Sequence, residues 1–81
     1  MALHIGQLIR QKMEERGMTV ASLSRKYGCS RVNMYKIFDK PTIDTGMLLR
    51  FSLLLNFDFF QYYRQELSDK SLQGMEEQVE V

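Results

Sequence analysis

Apolar and polar positions along this chain follow a helical period that is interrupted at regular points. Ile5, Leu8, Ile9 and Met13 recur at spacings of three and four, which predicts a helix from about His4 to Arg16. Beyond it one pattern occurs four times: an apolar residue, then Ser, Thr or Asp, then an apolar residue four positions after the polar one. The instances are Met18-Thr19…Leu23, Cys29-Ser30…Met34, Ile43-Asp44…Leu48 and Phe57-Asp58…Tyr62. An oxygen in such a place accepts from the unpaired N–H groups of a first helical turn, and the flanking apolar residues close over it. Four further helix starts are thereby marked. Gly17, Gly28 and Asn56 stand just past helical segments, where a residue tolerant of positive φ ends the last turn. The expectation is five helices at about 4–16, 20–27, 31–38, 45–55 and 59–67, with Pro41 biasing Lys40 away from helix and so closing the third. No strand pattern competes, and the predicted fold class is all-α.

The second and third helices are short and joined in about three residues, so they must cross steeply, with apolar inner positions and a small residue at the crossing. Leu23 and Tyr27 supply the inner stripe of the first, Ser24 the small residue and Gly28 the turn. Cys29, Met34 and Ile37 seal the second.

Here the chain resembles the lambda-repressor-like, or Cro-like, helix-turn-helix family. That family's two-helix motif has apolar residues at its fourth, eighth, tenth, fifteenth and eighteenth positions, a small residue at the fifth and Gly at the ninth. Counted from Val20, those places are Leu23, Tyr27, Cys29, Met34, Ile37, Ser24 and Gly28, and all seven match. The likeness extends from about Ile5 to Leu67, because Gly17-Met18-Thr19 and Leu55-Asn56-Phe57-Asp58-Phe59 look like the family's helix junctions.

The resemblance implies a five-helix DNA-binding domain that reads double-stranded DNA by placing the helix Arg31 to Phe38 in a major groove. The residues agree on geometry. With Met34, Ile37 and Phe38 inward, the 100° step turns Arg31, Val32, Tyr35 and Lys36 outward as the base-reading set, with Asn33 at the edge. Arg31 can pair with guanine, Val32 can cover a thymine methyl, and Lys36 can reach guanine or phosphate. Thr19 and Ser30, as caps, lie where phosphates dock, and Asn33, Arg25, Lys26 and Lys40 complete the expected backbone contacts, with Arg10 a further candidate. A surface Arg or Lys is more often merely solvated, and an outward Val and Tyr also suit a protein interface. It is the set, in register on this motif, that favours DNA.

The chain departs from the family in three places. Many members pair an Arg of the first helix with a Glu ending the recognition helix, and here those positions are Met13 and Phe38, so the pair is replaced as a unit. Exchanging a buried ion pair for packed apolar groups is often neutral or stabilising. The family's frequent Gln at the start of the second helix, a phosphate contact, is Val20, which bears on affinity rather than fold. The linker before the fourth helix also looks about two residues longer than the common pattern.

From Met47 to Tyr63, twelve of seventeen residues are apolar. One face, Met47, Leu48, Phe51, Leu54 and Leu55, suffices for a core. The remainder predicts a partner surface of Leu49, Leu53, Phe59, Phe60 and Tyr63, and a homodimer is its expected use because paired heads match a two-fold operator. Two alternatives stand beside this. The tail, through Leu72, Met75 or Val79, could cover the surface, or the chain could be a protein-interaction module, antitoxin-like or a co-regulator, that uses its apolar C-terminal helices.

Charge sharpens the division of the chain. The net charge of +1 hides a +4 carried by residues 1–67, with ten Lys/Arg and six Asp/Glu, and a −3 carried by residues 68–81. Residues 1–67 are therefore expected to form the DNA-binding domain, and 68–81 an acidic, flexible tail. Between Met18 and Phe38 stand Arg25, Lys26, Arg31 and Lys36 and no acid. One cysteine, Cys29, and one histidine, His4, allow neither an intrachain disulfide nor a Cys-based zinc site; Cys29, at a staple position, is expected to be structural, and His4 to do nothing specific. No catalytic constellation, phosphate loop, membrane-length apolar run or secretory leader pattern is evident. The expectation is a non-enzymatic, cytoplasmic transcriptional regulator, repressor-like, without cofactor, metal or membrane partner.

Overall fold

A computed structural model describes residues 3–70. The described residues form five helices and no strand: α1 (Ile5–Glu15), α2 (Val20–Tyr27), α3 (Arg31–Phe38), α4 (Thr45–Leu55) and α5 (Phe60–Asp69). The capping pattern is the reason for three of the starts. The side chains of Thr19, Ser30 and Asp44 each sit in extended backbone and accept from the N–H three residues on, in Ser22, Asn33 and Met47. Gly17, Gly28 and Asn56 hold positive φ values of 72°, 94° and 51°, which ends the helices before them.

The fifth start differs in detail from the expectation. Asp58 stays one residue outside the helix boundary and Phe59 occupies the cap position in αR conformation, while the Asp58 carboxylate accepts from Phe60 N at 2.9 Å. α5 also runs past Leu67 to Asp69, with Glu66 and Lys70 paired at 3.5 Å across its last turn. The expected tail at 68–81 is therefore helical in its first two residues, and its expected flexibility beyond residue 70, like its folding back through Leu72, Met75 or Val79, concerns residues outside those described.

One core joins the helices. Ile5, Ile9 and Met13 of α1, Leu23 of α2, Met34, Ile37 and Phe38 of α3, and Leu48, Phe51 and Leu55 of α4 are buried together with Phe59. Met13 and Phe38, which stand where family members carry an ion pair, are both in this cluster, so apolar packing replaces the charges without leaving one behind. Ser24 is buried where α2 meets its turn, and its carbonyl takes the N–H groups of Gly28 and Cys29 at 2.8 and 3.0 Å.

The placing of α3 depends on α1. The first N–H groups of a helix are without intrahelical partners, and here those of α1 are satisfied by carbonyls of the chain that leaves α3. Ile5 N donates to Pro41 O and Gly6 N to Lys40 O, each at 2.9 Å, while the Gln7 side-chain amide donates to Phe38 O at 3.1 Å. A Cβ at Gly6 would run into the carbonyl oxygens of Ile37 and Phe38, so only glycine lets α1 approach so closely. The positive end of the α1 dipole thus meets the negative end of α3.

Candidate nucleic-acid interface

α3 divides as its sequence predicts. Met34, Ile37 and Phe38 are buried, and Arg31, Val32, Asn33, Tyr35 and Lys36 are exposed. Val32 and Tyr35 are 65% and 47% exposed. The four residues nominated to read bases therefore share one solvent face. Ser30 Oγ accepts from Asn33 N at 3.1 Å and Thr19 Oγ1 from Ser22 N at 3.1 Å, and both residues are exposed. Each hydroxyl proton remains free for an anion at the helix N-terminus.

The basic residues sort into two groups by what they touch. Arg16 donates to the carbonyls of Leu55 and Asn56 at 2.9 and 3.0 Å, closing the C-terminus of α4. Arg50 donates to the Tyr27 carbonyl at the end of α2 and lies over the Tyr27 ring at 4.0 Å. That ring in turn stacks on Phe51 at 4.5 Å. Lys12 pairs with Glu15, Arg64 with Asp58, Lys70 with Glu66 and Arg10 with Glu14. Among the described residues, Arg25, Lys26, Arg31, Lys36 and Lys40 make no salt bridge and donate no side-chain hydrogen bond. All five are exposed, and they lie on α2, α3 and the residues that follow α3. The structural cations are elsewhere.

Two expectations need correction. Phe59 is fully buried and belongs to the core, so it is not part of a partner surface. Its N–H donates to Ser52 Oγ of α4 at 3.3 Å and its ring meets Phe57 edge-on at 5.0 Å, which turns it beneath the start of α5. The others of that set behave differently, with Leu49 and Leu53 51% and 73% exposed on α4, and Phe60 and Tyr63 half-buried. His4 has a definite role, since its Nδ1 accepts from Gln7 N at 3.1 Å and caps α1. Histidine is outside the usual set of capping residues, and only its place directly before Ile5 could have signalled this.

Sequence reasoning also missed Gly6, Gln7, Arg16 and Arg50, each of which acts on backbone far away in the chain. Arg10, expected as a possible phosphate partner, lies over the rings of Tyr35 and Phe38 at 5.7 and 5.5 Å. Among the described residues no group of three or more His, Cys, Asp or Glu could hold a metal ion, and no helix is long and apolar enough to cross a membrane.

A family model described as the Cro/C1-type HTH DNA-binding domain matches residues 9–59, a span from the middle of α1 to the start of α5. Comparison with curated proteins and with solved structures finds no match.

Proposed function

The chain belongs to the Cro/C1-type helix-turn-helix DNA-binding family, and from that premise we propose that it is a sequence-specific transcriptional regulator whose α3 enters the major groove of double-stranded DNA. The observation that carries this reading is the distribution of cations. The five basic residues that find no acceptor among the described residues, Arg25, Lys26, Arg31, Lys36 and Lys40, are clustered on the helix-turn-helix and the chain leaving it.

In this reading Arg31, Val32, Tyr35 and Lys36 face base edges. Arg31 and Lys36 offer donors to guanine O6 and N7, and Val32 offers an apolar surface to a thymine methyl. Thr19, Ser30 and Asn33, with Arg25, Lys26 and Lys40, hold the sugar-phosphate backbone and fix the register of the helix in the groove. Val20, which replaces a polar residue at the start of α2, is half-buried against the core and adds no phosphate contact.

We further propose that the working form is a homodimer paired through Leu49 and Leu53 of α4 and Phe60 and Tyr63 of α5. The exposed leucines lie one turn apart, and an isologous pair would present two α3 helices to a two-fold operator. We propose no catalytic role, and a cytoplasmic place of action in keeping with the free thiol of Cys29. Binding to random duplex DNA, followed over a range of salt concentration, tests the reading: affinity that falls steeply with salt supports it, and affinity indifferent to salt favours a protein partner.

A further inference from the structure

The outward residues of α3 are not held alike. Arg31 and Lys36 have no partner among the described residues, whereas the ring of Tyr35 is engaged on two sides. Phe38, a core residue one turn further on, meets it edge to face at 6.0 Å and an interplanar angle of 86°. The Arg10 guanidinium, coming from α1, lies 5.7 Å from the Tyr35 centroid and 5.5 Å from that of Phe38. Arg10 is itself steadied, because its Nε faces the Glu14 carboxylate at 3.6 Å one turn along α1. A cation within about 6 Å of a ring centroid is attracted by the ring quadrupole, and here one cation serves two rings. α1 therefore reaches the outward face of α3 through the Arg10 side chain.

On this arrangement, and resting on the DNA-binding reading above, we propose that Arg10 is a positioning residue for recognition. It holds the Tyr35 ring in one orientation against Phe38, so that the phenol meets DNA already ordered. A tyrosine that is free to change rotamer in the unbound protein loses that freedom on binding and weakens the complex accordingly. Arg10 removes that loss beforehand. It acts through Tyr35, and its own charge is directed to the rings and Glu14 rather than to phosphate.

The test uses a duplex selected from a random pool by the wild-type protein, with R10M, Y35A, the R10M/Y35A double variant and R10K. Met keeps the apolar stem of Arg10 and removes the cation, while Lys keeps a cation over the rings. R10M is expected to lose roughly two- to fivefold in affinity, the size of one exposed cation–π contact. It should leave the slope of log K against log salt unchanged, and it should cost nothing further in the Y35A background. R10K should restore most of the loss. In the unbound protein, the ring proton resonances of Tyr35 should move on R10M substitution, while circular dichroism confirms an intact fold.

Unchanged Tyr35 resonances, or an R10M loss that persists in the Y35A background, would overturn the proposal. So would a salt slope reduced by about one unit, which marks a direct phosphate contact. If the wild-type protein binds no duplex, the DNA-binding reading itself falls and takes this role with it. That outcome is distinct from wild-type binding that ignores Arg10.

Discussion

The main-chain N–H of Gly6 donates to the carbonyl of Lys40 at 2.9 Å, joining the first turn of α1 to the chain that leaves α3. The contact is possible only because residue 6 has no side chain, since a Cβ would overlap the carbonyl oxygens of Ile37 and Phe38. The orientation of the helix we assign to the major groove is thus fixed from behind, by backbone.

Replacing Gly6 tests that fixing. Gly6→Ala forces α1 and α3 apart, and overpacking of this kind costs about 1–3 kcal/mol. In a domain of this size the thermal midpoint should fall by roughly 5–20 °C. Thermal denaturation followed by circular dichroism measures the change, and an unaltered midpoint would contradict the close approach.

Arg16 joins α1 to the far end of α4 through two hydrogen bonds to carbonyls that no helical N–H can reach. Arg16→Ala should destabilise the fold by about 1 kcal/mol, because the site is partly open to water that can replace the lost donors. Urea unfolding should show a lower midpoint with an unchanged slope.

Asp58 carries a pH dependence of known sign. Its carboxylate is held below the ordinary value of 3.8 by the hydrogen bond from Arg64 at 2.6 Å, with the charge of Arg64 and the N–H groups at the start of α5 adding to the effect. A carboxylate lowered in the folded state stabilises fully above its unfolded value and ceases to do so as pH falls through the folded one. Wild-type stability should therefore decline, as pH falls from above 3.8 to below it, by slightly more than that of Asp58→Asn. The pair is exposed, so the difference is small, and thermal melts across that range measure it.

Much of the fold was legible because the deciding interactions are local. Thr19, Ser30 and Asp44 bond to an N–H three residues away, and Gly17, Gly28 and Asn56 act through their own φ, so short windows of sequence contain both partners. The outward set of α3 followed from helical periodicity alone. Phe59 was misjudged because an aromatic residue at a helix start can turn either way, and the hydroxyl that turns it inward belongs to Ser52, seven positions earlier. Gly6, Arg16 and Arg50 act across separations of 23 to 40 residues, which no periodic pattern encodes. Arg10 looked like any surface cation because the rings that occupy it lie on another helix.

The proposed dimer makes its own prediction. Leu49 and Leu53 face solvent in the single chain, so Leu49→Glu/Leu53→Glu should leave helical content unchanged. If these leucines pair two copies, sedimentation equilibrium should find a dimer for the wild type and a monomer for the variant. A wild type that stays monomeric at high concentration would remove the dimer from the account.

The central claim is that α3 reads duplex DNA through its outward residues, and fluorescence-anisotropy titration of a random duplex pool tests it most directly. Wild type is compared with Arg31→Ala/Lys36→Ala at two salt concentrations. Steeply salt-dependent binding by the wild type is expected, weakened roughly tenfold or more by the double substitution, the size of one lost bidentate base contact or larger. Absence of binding at low salt, or binding indifferent to Arg31 and Lys36, would contradict the claim.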